Sequence, residues 1–147
     1  MKKIILAALL LKLTDRVSAQ DIAQNELPSL VRNSFQKTFP KASDVEWETE
    51  GGLYKVEFET GLFGTDHHAW FDGAGKLVRH KEEIGKSDLP AAVRSKLDKA
   101  FSGYRVDDID KISTGTKVTY TMELKRFTEE WKVAFDAAGN MLSKIAD

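Results

Sequence analysis

The sequence predicts an α+β fold: two tandem α-β-β-β-β repeats forming one antiparallel sheet, with both helices on one of its faces. Three observations predict it. The stretch Ala-Trp-Phe-Asp-Gly-Ala-Gly-Lys-Leu at 69–77 recurs as Val-Ala-Phe-Asp-Ala-Ala-Gly-Asn-Met at 133–141, so that Phe71, Asp72 and Gly75 map to Phe135, Asp136 and Gly139, 64 positions on. A Leu-Pro pair opens an amphipathic stretch twice, at Leu27-Pro28 and at Leu89-Pro90, 62 positions apart. After each such stretch, apolar and polar residues alternate with the period of a strand covered on one face. Each unit is about 60 residues long, too few for a comfortable core of its own. Two units sharing one sheet bury a common core, and antiparallel strands with one wetted face place both helices on the other.

Taken in order, Lys2 and Lys3 precede an apolar run at 4–11, and Val17-Ser18-Ala19 follows with small residues where a signal peptidase reads. This pattern predicts a signal peptide over 1–19. The run is too short for a membrane span and Lys12 interrupts it, and no cysteine is present to take a lipid. A single domain of 128 residues, 20–147, remains, its repeats at about 27–88 and 89–147. The leader holds four of the 22 basic and one of the 23 acidic residues, leaving 18 and 22 and a net charge of −4. That balance disfavours nucleic acid, which selects a basic face. Without cysteine there is neither a disulfide nor thiol chemistry, so the core alone holds the fold.

Residues 21–26 are polar and read as a frayed lead-in. Pro28 suits a first helical turn, and Leu27, Leu30, Val31, Ser34, Phe35 and Thr38 follow at helical spacing. Phe39-Pro40 ends the helix, because a residue before proline leaves the helical region. Val45-Glu46-Trp47-Glu48 alternates as a strand, and Gly51-Gly52 breaks it. In 53–60, Tyr54, Val56 and Phe58 take one face and Lys55, Glu57 and Glu59 the other. A loop at 61–66 leads to a hairpin of 67–71 against 77–81. The hairpin turn is read from its second copy: Ala137 stands where a two-residue turn would need a positive φ, whereas Gly75 and Gly139 both suit a left-handed closing position. The loops are therefore 73–75 and 137–139, with Asp72 facing Lys76 and Asp136 facing Asn140.

The second half repeats this order. Leu89, Val93, Leu97, Ala100 and Phe101 line one helix face, and Ser102-Gly103 ends it. A strand at 106–112 follows. Val118, Tyr120, Met122 and Leu124 alternate with polar residues, 125–128 forms a loop, and Trp131, Val133 and Phe135 lead into the second hairpin. Phe71, Leu77, Phe135 and Met141 are expected to complete the core.

Leu-Pro before an amphipathic helix, Phe39-Pro40 and Ala42 ahead of Val45 and Trp47, Tyr54-x-Val56-x-Phe58, and the Trp70-Phe71-Asp72 hairpin closed by Gly75 together resemble the PepSY-like family, small secreted proteins of Gram-negative bacteria described as β-lactamase-inhibitor-like. The resemblance covers about 27–142 in two copies. The second copy has Tyr104-Arg105 and Ile109 near the Phe-Pro and Trp positions. These are packing and turn residues, which specify a fold and not a function. The resemblance implies a β-lactamase-inhibitor-like fold and a periplasmic address, and no measured activity.

The chemistry-bearing patterns are sparse. There is no Gly-x-Ser-x-Gly, and Gly73-Ala74-Gly75 sits in a hairpin rather than opening a helix, so it is no phosphate loop. The carboxylate groups at Asp107-Asp108-Asp110, Glu82-Glu83 and Glu129-Glu130 read as solvated edges. Trp47 and Trp131 share the alternation of core residues. Trp70 alternates with Phe71 and points to the face away from the helices, either as a binding anchor or as a cover for neighbouring strand side chains. With the hairpin in simple register, that face carries Lys55, Glu57, His68, Trp70, Val78, His80, Thr119, Thr121 and Lys132. His68 would oppose His80 and Asp66 would oppose Glu82, gathering a zinc-type ligand set of Asp66, His68, His80 and Glu82. The alternative is an exposed histidine pair.

Three classes of function follow: a non-enzymatic periplasmic binding or inhibitory module with a protein or peptide partner; a small-ligand or metal-binding protein; and an enzyme, which has the least support. The binding residues expected for the first are Trp70, His68, His80, Lys55 and Glu57. No cofactor is implied, nor any membrane attachment after leader removal. N-terminal sequencing of the exported protein should begin at or within a few residues of Gln20; an intact Met1 on the mature protein would overturn the leader assignment.

Overall fold

The computed structural model describes residues 19–147. The signal peptide expected over 1–19 lies, apart from Ala19, outside the described residues. Two proline-led helices, α1 (Ser29–Thr38) and α2 (Ala91–Ala100), accompany nine strands. These are β1 (Gln20–Asp21), β2 (Ser43–Glu50), β3 (Leu53–Thr60), β4 (Thr65–Phe71), β5 (Leu77–Glu83), β6 (Arg105–Thr114), β7 (Lys117–Arg126), β8 (Glu129–Asp136) and β9 (Met141–Ala146). The strands form one sheet in simple sequence order, and each pairs antiparallel with the next. A helix followed by four strands therefore occurs twice along the chain.

Pro28 and Pro90 cap their helices from extended backbone and do not occupy the first turn. Each proline carbonyl accepts the first helical hydrogen bond, from Arg32 at 3.1 Å and from Arg94 at 3.0 Å. The lead-in is more ordered than its polarity predicts. Gln20 and Asp21 pair with Thr49 and Glu48 on the free edge of β2, and Ile22 packs on the core. An open edge offers unpaired backbone groups, and the lead-in takes them up.

One face of the sheet can be followed by register from β3 to β8. Val56 and Phe58 on β3 stand beside Ala69 and His67 on β4, then His80 and Glu82 on β5, Ser113 and Lys111 on β6, and Val118 and Tyr120 on β7. Tyr120 in turn pairs with Phe135 on β8. Both helices lie on this face. Val31 and Phe35 of α1 pack with Trp47, Val56, Phe58 and Phe71. Val93 and Leu97 of α2 pack with Tyr120, Met122, Leu124, Val133 and Phe135. The first core is aromatic, with Phe35 edge-on to Trp47 at 5.1 Å and to Phe58 at 5.2 Å, a favoured ring arrangement. The second is mostly aliphatic, with Ile109 buried in it. Three apolar residues expected inside lie outside: Leu30 is 59% exposed and Met141 42%, and Ala100, at the end of α2, is exposed as well. Leu30 falls off the buried stripe of α1, and Met141 begins β9, which has no strand beyond it among the described residues.

The hairpin turns have the expected form. Gly75 donates to the Asp72 carbonyl, and Asp72 donates to Lys76 at 3.0 Å; Gly139, Asp136 and Asn140 repeat the arrangement. Gly75 and Gly139 both have φ +83°, and Gly73 is not in the positive region. Each closing glycine also touches a helix. A Cβ at Gly75 would lie 2.6 Å from the Leu30 carbonyl oxygen, and one at Gly139 would lie 2.7 Å from that of Ala92.

Past these turns the register slips. Phe71 pairs with Leu77 but Trp70 pairs with Arg79, so Val78 is an extra residue in a β-bulge. Phe135 pairs with Met141 but Ala134 with Ser143, and Leu142 is the extra residue there. A second matched pair of irregularities lies at Asp44 and Asp108, with φ 49° and 47°.

Gly75→Val and Gly139→Val should each cost roughly 2 kcal/mol or more, from left-handed backbone strain and the clash with helix backbone. Gly73→Ala, which meets nothing within 4 Å, should stay within about 0.5 kcal/mol. Urea unfolding of the three variants measures this, and equal losses at positions 73 and 75 would show that the turn has been misassigned.

Candidate functional site

The face away from the helices is a layer of paired charges on β2 to β6. Lys55 on β3 contacts Glu48 Oε1 at 2.5 Å and Glu57 Oε1 at 2.7 Å, and His68 Nδ1 lies 3.3 Å from the same Glu57 oxygen. On the next strands Lys81 pairs with Asp110 at 3.2 Å. Period-two alternation puts all these side chains on one side. Burial acts to lower the Lys55 pKa, but its hydrogen bonds to Glu48 and Glu57 prevail and hold it above the ordinary lysine value. The same Lys55 bond holds Glu57 below the usual carboxylate range. Burial lowers His68, against the opposing pull of Glu57.

Trp70 forms the floor of this layer. It lies on the open face, as alternation requires, and not under a helix, yet it is only 7% exposed. Arg79 stacks over its ring at 4.6 Å, Lys55 lies 5.8 Å from the ring centre, and the His68 ring stacks at 6.1 Å. Its Nε1–H donates to Glu50 Oε2 at 2.5 Å. Cation–π contacts thus cover the indole with charge.

Lys55, Glu57, His68 and Trp70 are brought together as expected. His80 is not with them. The bulge at Val78 sets His80 opposite Ala69 and His68 opposite Lys81, which moves His80 to the helix face. Glu82 moves with it and stands opposite His67, while Asp66 pairs with Glu59. The expected set of Asp66, His68, His80 and Glu82 is therefore split between two faces, with Asp66 and His68 on one and His80 and Glu82 on the other. Val78 does not oppose Trp70; Arg79 does. The sequence trace of this slip is the adjacent apolar pair Leu77-Val78, matched by Met141-Leu142.

On the helix face a different group forms. His67 is 7% exposed, the one buried polar residue among the described residues. Its ring stacks on Phe58 at 4.9 Å. Its Nε2 lies 2.7 Å from Thr60 Oγ1, and its Nδ1 lies 3.0 Å from His80 Nε2 and 4.0 Å from Glu82 Oε2. Burial lowers the pKa of both histidines, with Glu82 pulling the other way.

A third feature lies at the hairpin tips. Leu62 and Phe63 between β3 and β4 are each 99% exposed, and Phe127 between β7 and β8 is 101% exposed. In a simple antiparallel order both tips fall at the same end of the sheet. Phe127 has φ 54°, a conformation that a bulky side chain rarely adopts.

A family model described as "Putative beta-lactamase-inhibitor-like, PepSY-like" matches residues 13–63 and 52–143. No curated protein matches the chain. Among solved structures, a protein of Bacteroides eggerthii described as a "putative periplasmic" protein aligns with TM-score 0.71 and 18% identity over 82% of this chain and 88% of that one. A BLIP-like protein of Bacteroides fragilis aligns with TM-score 0.69 and 18% identity over 82% and 86%. A DUF2874 family protein of Bacteroides uniformis aligns with TM-score 0.70 and 20% identity over 81% and 88%. At these identities the likeness is one of fold. Among the described residues no helix is long and apolar enough to cross a membrane.

The pairing on the open face has a measurable consequence. A depressed Glu57 pKa contributes stability above the ordinary glutamate pKa of about 4.3, and that contribution is lost as pH falls through the depressed value. Lys55→Met should return the Glu57 pKa toward its ordinary range in an NMR-monitored pH titration; an unmoved pKa would mean that Lys55 is not its cause.

Proposed function

Because this chain belongs to the PepSY-like, β-lactamase-inhibitor-like family, we propose that it is a non-enzymatic binding module of the periplasm, built of two tandem repeats, that captures a protein partner. The observation that carries this reading is the pair of hairpin tips. Three large apolar side chains stand wholly in water at one end of the sheet, where nothing in the fold needs them. Adjacent exposed apolar groups mark contact sites, and Leu62 and Phe63 stand side by side at one tip. The strained backbone at Phe127 points the same way, since strain persists where function needs it. The charged layer on the open face supplies polar contacts, and Trp70 lies covered by Arg79 and Lys55 within it rather than acting as an open anchor. The partner fitting this surface offers apolar pockets for the tips and complementary charge for the layer.

A periplasmic address is supported by the leader pattern at 1–19 and by the description of the Bacteroides eggerthii structural neighbour as periplasmic. A partner of the inhibited-enzyme kind is supported only by the family description and by the BLIP-like neighbour's name.

The test is a pull-down from periplasmic extract with mature protein, repeated with a Leu62→Ser/Phe63→Ser double variant and with Phe127→Ser. Stability should change by no more than about 0.5 kcal/mol per substitution, because the side chains are exposed. Partner affinity should fall by about 2 kcal/mol for the double variant, as for a central contact. A partner held equally well by all three proteins would refute the tips as the contact site.

A further inference from the structure

We propose that His67, His80 and Glu82 form a site for a single zinc-type divalent cation on the helix-side face of β4 and β5. The candidate ligand atoms, His67 Nδ1, His80 Nε2 and a Glu82 carboxylate oxygen, all lie within 4.8 Å of one another. In a tetrahedral shell with bonds of about 2.0–2.1 Å, ligand atoms stand about 3.3 Å apart. The observed separations of 3.0 Å and 4.0 Å bracket that value, so small side-chain rotations suffice. Two imidazoles and one carboxylate are a known zinc set that leaves a fourth position open.

The surroundings are prepared for a cation in three ways. Thr60 Oγ1 sits 2.7 Å from His67 Nε2; with that ring N–H donated to the hydroxyl, Nδ1 is left bare and aimed at the site, as ligand histidines are oriented by an outer partner. Lys111 on β6 holds Glu82 Oε1 at 3.4 Å, leaving Oε2 for the site. Stacking on Phe58, and the Phe39 ring 5.0 Å from His80, hold both imidazoles.

The second half of the chain supplies a comparison within the same molecule. The positions 64 residues on are Trp131, Lys144 and Ala146, in the same register: Val133 pairs with Lys144 and Trp131 with Ala146. There the cation is built in, since Lys144 Nζ lies 4.1 Å from the centre of the Trp131 ring. In the first half the same place holds three donors, and Lys111 contacts Glu82 through its other oxygen, Oε1. The other close carboxylate group, Glu123, Glu130 and Asp147, already carries Lys125 and Lys132.

The experiment is titration with Zn²⁺ alone near neutral pH, read by calorimetry and thermal unfolding, with Co²⁺ as a spectroscopic probe. Zinc should bind one ion per chain and raise Tm, and Co²⁺ should give the intense visible bands of a four-coordinate ion. His80→Ala and Glu82→Gln should each weaken zinc binding at least tenfold, and Thr60→Val about tenfold. His68→Ala, on the opposite face, should bind as the parent does. Glu82→Gln is half-buried and nearly isosteric, so it reads the site even where a histidine variant fails to fold. The proposal is overturned by absence of binding, by unchanged affinity in folded Glu82→Gln, or by loss of binding in His68→Ala.

Discussion

The rest of this structure depends on the contact between each helix and the glycine that closes a hairpin. Gly75 meets the carbonyl of Leu30, and Gly139 that of Ala92, at distances that leave no room for a Cβ. A residue with a side chain would fail there twice, by backbone strain and by collision. Because both turns press on helix backbone, they fix how α1 and α2 lie across the sheet. Val31 and Phe35, or Val93 and Leu97, then have only one face on which to bury.

The second constraint is the bulge that follows each of these turns. A strand has a side-chain period of two, so one extra residue exchanges its faces. Val78 is that residue in β5, and it carries His80 and Glu82 to the helix side while Arg79 and Lys81 take their places on the open side. Three histidines close in sequence are thereby divided. His68 joins the charged layer with Glu57, and His67 meets His80 on the helix side. The two environments differ in kind: one is a wetted face where charges screen one another, the other a place where aromatic rings exclude water and a neutral imidazole is favoured.

The two faces also divide the labour of stability and recognition. The helix face supplies the buried apolar area that a chain without disulfides requires. The open face is satisfied within itself, since Lys55, Glu57, Lys81 and Asp110 all have partners there. A surface so balanced gains little from a partner's charge alone, because surface ion pairs contribute little. The apolar tips are then the surface elements with most to gain from contact.

By itself the sequence determined the class of fold, the two helices, most of the strands, both glycine turns and most of the core. Each of these rests on a local or periodic pattern: Leu-Pro before a 3.6-residue period, alternation along a strand, a glycine where φ must be positive. It also placed Lys55, Glu57, His68 and Trp70 on one face, because no irregularity interrupts β3 or β4 between them. The tertiary structure alone decided the register across the β4–β5 hairpin, and with it which histidines meet. A bulge is fixed by how two strands and a helix fit together, and leaves little mark on either strand's own pattern. It alone decided, too, that Trp70 is covered, since cover comes from Arg79 on β5 and Glu50 on β2, and periodicity reports the direction of a side chain without reporting what lies above it.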